Sequence, residues 1–103
     1  MLKIVSLLRR RADLSYEEFR IWALDEHPLL GKKLPGIRHY RMSVVIEDDP
    51  ELPYHAVSEF WFDDNEARLY AFATPEGKTA AEDASAHCDS RVHLLTEEKI
   101  IIE

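Results

Sequence analysis

Leu14-Ser15-Tyr16-Glu17-Glu18-Phe19-Arg20-Ile21-Trp22-Ala23-Leu24-Asp25-Glu26-His27-Pro28 is the stretch on which the fold turns. Ser15 followed three residues later by Glu18 is a capping box, in which each residue satisfies a free backbone N–H of the other. Leu14 just outside the cap and Phe19 one turn inside can close over it as a hydrophobic staple. The helix start is therefore fixed at Ser15. At about 100° per residue, Tyr16, Phe19, Ala23, His27 and Leu30 share one face. Pro28 lacks an N–H and disfavours helical geometry at His27, so the helix is expected to kink or end there.

Working outward, Lys3 to Arg9 reads as a strand with apolar residues on both faces. Pro35-Gly36 predicts a type II turn, with glycine where φ is positive. A second strand is expected over Ile37 to Ile46, then an acidic solvated connection, Glu47 to Pro53. Tyr54 to Phe62 is a third strand. Asp63-Asp64-Asn65 offers helix caps, and a helix follows over Glu66 to Ala73. Thr74-Pro75 restarts the helix, with Thr74 as cap and Pro75 in the first turn, and the segment runs to about Cys88. Arg91 to Ile102 reads as a fourth strand.

The order β-α-β-β-α-β in a chain of 103 residues predicts one domain over 1–103. Its class is α+β, ferredoxin-like, with a four-stranded antiparallel sheet and both helices on one face. Strands one and three carry large apolar residues on both faces, Val5 and Leu7 against Ile4 and Leu8, and Val57 and Trp61 against Phe60 and Phe62, and helices cover only one of the two faces. A second copy packed sheet to sheet is the simplest cover, which predicts a homodimer.

A formal net charge of −7 excludes non-specific binding to nucleic acid or to anionic membranes. Arg9-Arg10-Arg11 is the sole basic cluster and reads as a solvated strand end. The single cysteine, Cys88, forbids an intramolecular disulfide. No apolar run is long enough for a membrane span or a signal peptide, and a cytoplasmic location is expected.

Residues 14–19, His27 eight residues after Phe19, and Leu34-Pro35-Gly36-Ile37-Arg38 with Tyr40 together resemble the EthD family. Thr74-Pro75-Glu76-Gly77 and Asp89-Ser90-Arg91 resemble its later segments. The resemblance implies a dimeric α+β barrel. It also implies small-molecule chemistry: EthD-like proteins accompany ether degradation, and relatives act as dehydratases or decarboxylases on aromatic or polyketide compounds. Where the family often carries Tyr-Trp, this chain has Trp22-Ala23, which should reshape a pocket. Pro28 follows the histidine directly, one place earlier than in the family pattern.

His27 and Tyr40 are the candidate catalytic pair. Histidine suits proton transfer near neutrality, and a strand phenol beside it can orient or polarise a substrate. The alternative for His27 is a core-edge histidine bonded to a backbone carbonyl freed by Pro28. Phe19, Trp22, Ala23, Phe60 and Phe62 are candidate walls for a small apolar or aromatic ligand; Asp83 and His87, at i, i+4 on the later helix, are candidate substrate-binding residues that could face the pocket and pair, the alternative being an exposed helix pair. No metal or cofactor is expected, because His87, Cys88 and His93 lack ligand spacing and one histidine alone does not argue for haem. The expected activity is cofactor-independent acid–base catalysis of the isomerase, dehydratase or decarboxylase type. The alternatives are a non-catalytic binding protein and a cofactor-free oxygenase.

Overall fold

Ser15 caps the first helix as the sequence predicts, and in the computed structural model, which describes residues 1–103, both halves of the capping box are formed. The elements run β1 (Leu2–Arg10), α1 (Tyr16–Ile21), a π-helical turn (Trp22–Glu26), α2 (His27–Gly31), β2 (His39–Val44), β3 (Ala56–Phe62), α3 (Asn65–Ala73), α4 (Pro75–His87) and β4 (Cys88–Thr96). The sheet order is β2-β3-β1-β4, antiparallel throughout. This is the ferredoxin-like α+β arrangement the element order implies. No helix is long and apolar enough to cross a membrane.

The helix does not end at Pro28. It widens first: His27 N–H donates to Trp22 C=O, five residues back, and the chain then continues as α2 to Gly31. Proline cannot donate in the ladder and crowds the carbonyl four residues earlier. Widening the preceding turn absorbs that misfit without breaking the rod.

Pro35-Gly36 forms the expected turn. Gly36 has φ +80°, and Ile37 N–H reaches back to Leu34 C=O at 3.3 Å. Thr74 and Asp64 cap α4 and α3 through their side chains.

Several strand boundaries differ from expectation. β2 is shorter, His39–Val44, β3 begins at Ala56 rather than Tyr54, and β4 runs Cys88–Thr96 rather than Arg91 to Ile102. Thr96 is opposite Lys3, so β1 has only Leu2 left beyond the last pair. The 47–53 connection is also less free than a solvated loop. Arg9 donates to the carbonyls of Leu52 and Pro50, Arg10 lies 3.6 Å from Asp48, and buried His55 accepts from Arg10 N–H while bonding Asp49 C=O through its other nitrogen. With Arg11 paired to Asp13, the basic cluster is consumed in structural contacts.

Alternation along the strands sends Ile4, Ser6 and Leu8 with Ala56, Ser58, Phe60 and Phe62 toward the helices, where they are buried. Two apolar clusters form there. One gathers Leu8, Phe19, Trp22, Ala23, Ala56, Ala84 and Cys88; the other gathers Ile4, Leu34, Phe60, Phe62 and Ala71. Between them runs a row of residues paired across the sheet: Met42, Ser58, Ser6 and His93. The two clusters are thus separated by a mostly polar stripe, although Ser6 and Ser58 are only 2% and 6% exposed. On the other face, Trp61 is flanked by Lys3, Arg41 and the edge of His39.

Candidate active site

A cavity of about 250 Å³ lies between the sheet and the helices, directly over the polar stripe. Ser6, Ser58 and His93 line its floor, with Ile4, Leu8 and Phe60 to either side. The small side chains of Ala80, Ala81 and Ala84 on α4 leave its roof open, and His27, Gly31 and Tyr40 line it as well. His27 and Tyr40 therefore share one cavity.

His27 is buried, and its Nδ1 lies 2.8 Å from Asp83 Oδ2 on α4. Trp22 Nε1–H donates to the same oxygen at 2.9 Å. The π turn makes this possible. Five residues of regular α-helix would rotate Trp22 and His27 about 140° apart. Closing the turn over five residues returns both to one side, with ring centroids 4.8 Å apart. His87 stacks on Trp22 at 4.5 Å and 13°, and its Nδ1 donates to its own helix at Asp83 C=O, 2.7 Å away. Trp22 thereby contacts two imidazoles, one tilted and one stacked.

This network assigns the tautomer of His27. An ionised carboxylate only accepts, so Nδ1 carries the proton and donates it. Nε2 of the neutral ring is then a free base. A carboxylate behind Nδ1 also stabilises the imidazolium formed when Nε2 takes a proton, the arrangement used by histidine general bases elsewhere.

Tyr40 packs against Gly31, one helical turn after His27. A Cβ at Gly31 would sit 2.7 Å from Tyr40 Cε2 and 2.9 Å from both Cζ and the hydroxyl. Only glycine leaves room for the phenol at that spot. Burial, aided by the negative charge of Asp83, pushes the Tyr40 pKa up to about 12. The phenol consequently stays protonated, able to donate a hydrogen bond but not to act as a base.

Across the floor, Ser6 Oγ and His93 Nδ1 lie 2.7 Å apart. Partial loss of hydration of a ring that still reaches solvent, with the charges of Arg91 and Arg68, holds His93 below the usual histidine pKa. Both arginines line the cavity.

Of the wall candidates named from sequence, only Phe60 lines the cavity. Phe19 and Ala23 lie in one apolar cluster and Phe62 in the other, so a tryptophan-to-alanine difference at Ala23 reshapes the core, not the cavity. Trp22, Asp83 and His87 act on His27 from behind. Asp83 does approach His87, at 3.5 Å between Oδ1 and Nδ1, but its shorter bonds go to His27 and Trp22. The reading of His27 as bonded to a freed backbone carbonyl gives way to this carboxylate. Ser6, Ser58, Arg68, Arg91 and His93 were not singled out as cavity residues; alternation along β1 and β3 placed both serines on the inner face, and that was the available signal. Cys88 is buried, and burial raises its thiol to about 11, which keeps it protonated and unreactive.

The EthD domain profile matches residues 11–90. No functionally curated protein matches the chain. Among solved structures, an ethyl tert-butyl ether D (EthD) family protein from Bacillus halodurans superposes with a TM-score of 0.80 at 25% identity, over 96% of this chain and 99% of that one. A dimeric protein of unknown function with a ferredoxin-like fold from Bacteroides fragilis gives 0.72 at 20% identity, over 94% and 95% of the two chains. The hydroxynitrile lyase from Passiflora edulis gives 0.76 at 14% identity, over 99% and 96%.

Proposed function

The chain belongs to the EthD family, and from its cavity we propose that it is a cofactor-independent acid–base enzyme acting on a small aromatic, lactone or polyketide-like carbon acid. The observation that carries this is the 2.8 Å Asp83–His27 contact, which leaves Nε2 as a free base on a cavity shared with Tyr40. The fold itself decides nothing about chemistry, since unrelated activities share it.

In this reading His27 Nε2 removes a proton from a carbon next to a carbonyl. The imidazolium so formed is paired with Asp83. Tyr40 donates a hydrogen bond to the oxygen on which negative charge develops, the role of an oxyanion donor. Return of the proton at a different carbon is isomerisation; delivery of it to a departing β-hydroxyl, which leaves as water, is dehydration. In decarboxylation His27 takes the proton of the carboxylic acid and returns it to the carbon that loses carbon dioxide. A general base of this kind contributes about 10²–10⁴-fold in rate.

The test is a panel of aryl β-keto acids, β-hydroxy ketones and unsaturated lactones incubated in D2O and followed by proton NMR. Wild-type protein should convert or deuterate a member of the panel. His27→Gln should lose about 10²-fold or more of that rate with melting behaviour nearly unchanged. A His27→Gln protein that turns over normally, or one that simply unfolds, makes His27 a structural residue.

We infer also that two copies pair sheet to sheet. Val5, Leu7, Val57, Val92 and Leu94 form an apolar face away from the helices, and Leu94 is 45% exposed. The Bacteroides fragilis neighbour is described as dimeric.

A further inference from the structure

Arg68 on α3 and Arg91 on β4 line the cavity without a carboxylate partner. Arg68 donates to Asn65 Oδ1 at 2.8 Å, and Arg91 donates to Ser85 Oγ at 2.7 Å and Ala81 C=O at 3.4 Å. By contrast Arg10, Arg11, Arg20 and Arg38 each sit within 4 Å of an aspartate or glutamate. In a chain of net charge −7, two arginines left unpaired on the same mostly apolar cavity are an uncompensated positive end.

His93 belongs to the same end. If Ser6 donates to its Nδ1, Nε2 carries the proton and becomes a further donor. Strand order separates this end from the catalytic one. Tyr40 is on β2 and His93 and Arg91 on β4, the two edges of the sheet. Three inter-strand spacings of about 4.8 Å put those backbones roughly 14 Å apart. Ile4, Phe60 and Phe72 supply apolar wall between them.

We propose that the cavity takes an aryl or alicyclic carboxylate, its anionic group held by Arg68, Arg91 and His93 and its apolar body extending toward Tyr40 and His27. A planar guanidinium matches a carboxylate with two parallel hydrogen bonds. The proposal names the substrate class of the enzyme argued above and rests on the same cavity being its active site.

Isothermal titration at low salt with 2-naphthoate and its neutral isostere 2-naphthamide tests it. Wild-type protein should bind the carboxylate about tenfold tighter than the amide, which corresponds to about 1.4 kcal/mol. Arg68→Gln, whose bond to Asn65 lies within one helix, should remove most of that preference and leave the amide unchanged. Arg91→Gln should act the same way, but its bonds join β4 to α4, so Arg68→Gln guards against a folding artefact. His27→Gln should keep the preference, which separates this proposal from the catalytic one. Equal affinities in the wild type, no saturable binding of 2-naphthoate, or a preference that survives Arg68→Gln overturns it.

Discussion

Replacing Asp83 tests the core of the site without a known substrate. Its Oδ2 accepts from two donors, Trp22 Nε1–H at 2.9 Å and His27 Nδ1–H at 2.8 Å. A hydrogen bond to a charged group contributes about 1.5–3 kcal/mol, and a neutral one about 1 kcal/mol. Asp83→Asn keeps an accepting oxygen but loses the charge on both bonds. The aspartate side chain is 24% exposed, so solvent weakens the charge effect, and a loss of about 1–2 kcal/mol is expected. Asp83→Leu removes the acceptor altogether. It strands the indole N–H of a tryptophan that is only 2% exposed, for a further cost of about 1–3 kcal/mol. Urea denaturation measures both. The Asp83→Leu loss should shrink by about 1 kcal/mol in a Trp22→Phe background, where no N–H is left to strand. Long-range nitrogen–proton NMR gives the second readout. Wild-type His27 should show the Nδ1–H tautomer, and Asp83→Leu should shift population toward Nε2–H. If Asp83→Leu stays within about 0.5 kcal/mol of wild type and the tautomer does not change, Asp83 does not hold His27 and the assigned free base at Nε2 fails.

Gly31→Ala should act in opposite directions on stability and on function. Alanine favours a helix by about 1 kcal/mol over glycine, but its Cβ would sit under 3 Å from the Tyr40 ring, which must swing toward the cavity. A melting temperature that is unchanged or raised, with activity on any substrate identified reduced about 10²-fold, is expected. Full activity, or a loss of several kcal/mol, shows that the phenol position does not matter or that the ring cannot move. The sheet-to-sheet pairing predicts a dimer mass by light scattering, and Leu94→Lys, on the outer face, should convert it to monomer; a wild-type monomer at micromolar concentration refutes the pairing.

The fold was legible because its punctuation is chemical and local. A capping box, a Pro-Gly turn and a Thr-Pro cap each specify backbone geometry within four residues, and each formed. The end of β4 was legible in principle as well: with Lys3 opposite Thr96, only Met1 and Leu2 remain on the partner side, too few to reach the apolar Ile100-Ile101-Ile102. The site was legible only in part. His27 and Tyr40 were placed on inward faces by their own elements. Asp83 is 56 residues from His27, and Ser6 is 87 from His93, so these pairings exist only after the helices dock and the edge strand is laid down. A wheel drawn at constant pitch put Trp22 away from His27, because the pitch changes between them. Pro28 predicts a kink or an end at His27; the helix widens there instead and continues to Gly31.

Several departures from ordinary packing meet at one place. A π turn is a rare element, a buried histidine bonded to a half-buried carboxylate costs some desolvation, and a stripe of serines through a sheet core gives up apolar burial. Gly31 gives up helix stability for space beside a phenol. Each could be removed by an easy substitution: a regular helical turn, leucine for His27, valine for Ser6 or Ser58, alanine for Gly31. Independent accidents would be scattered over the molecule. Here His27, Ser6, Ser58 and Gly31 all line the same cavity, and the π turn aims the first of them. A sequence consistent with its fold at every other level concentrates its exceptions where function requires them. That concentration argues for a chemical role for the cavity independently of any relative, because stability alone would have closed it.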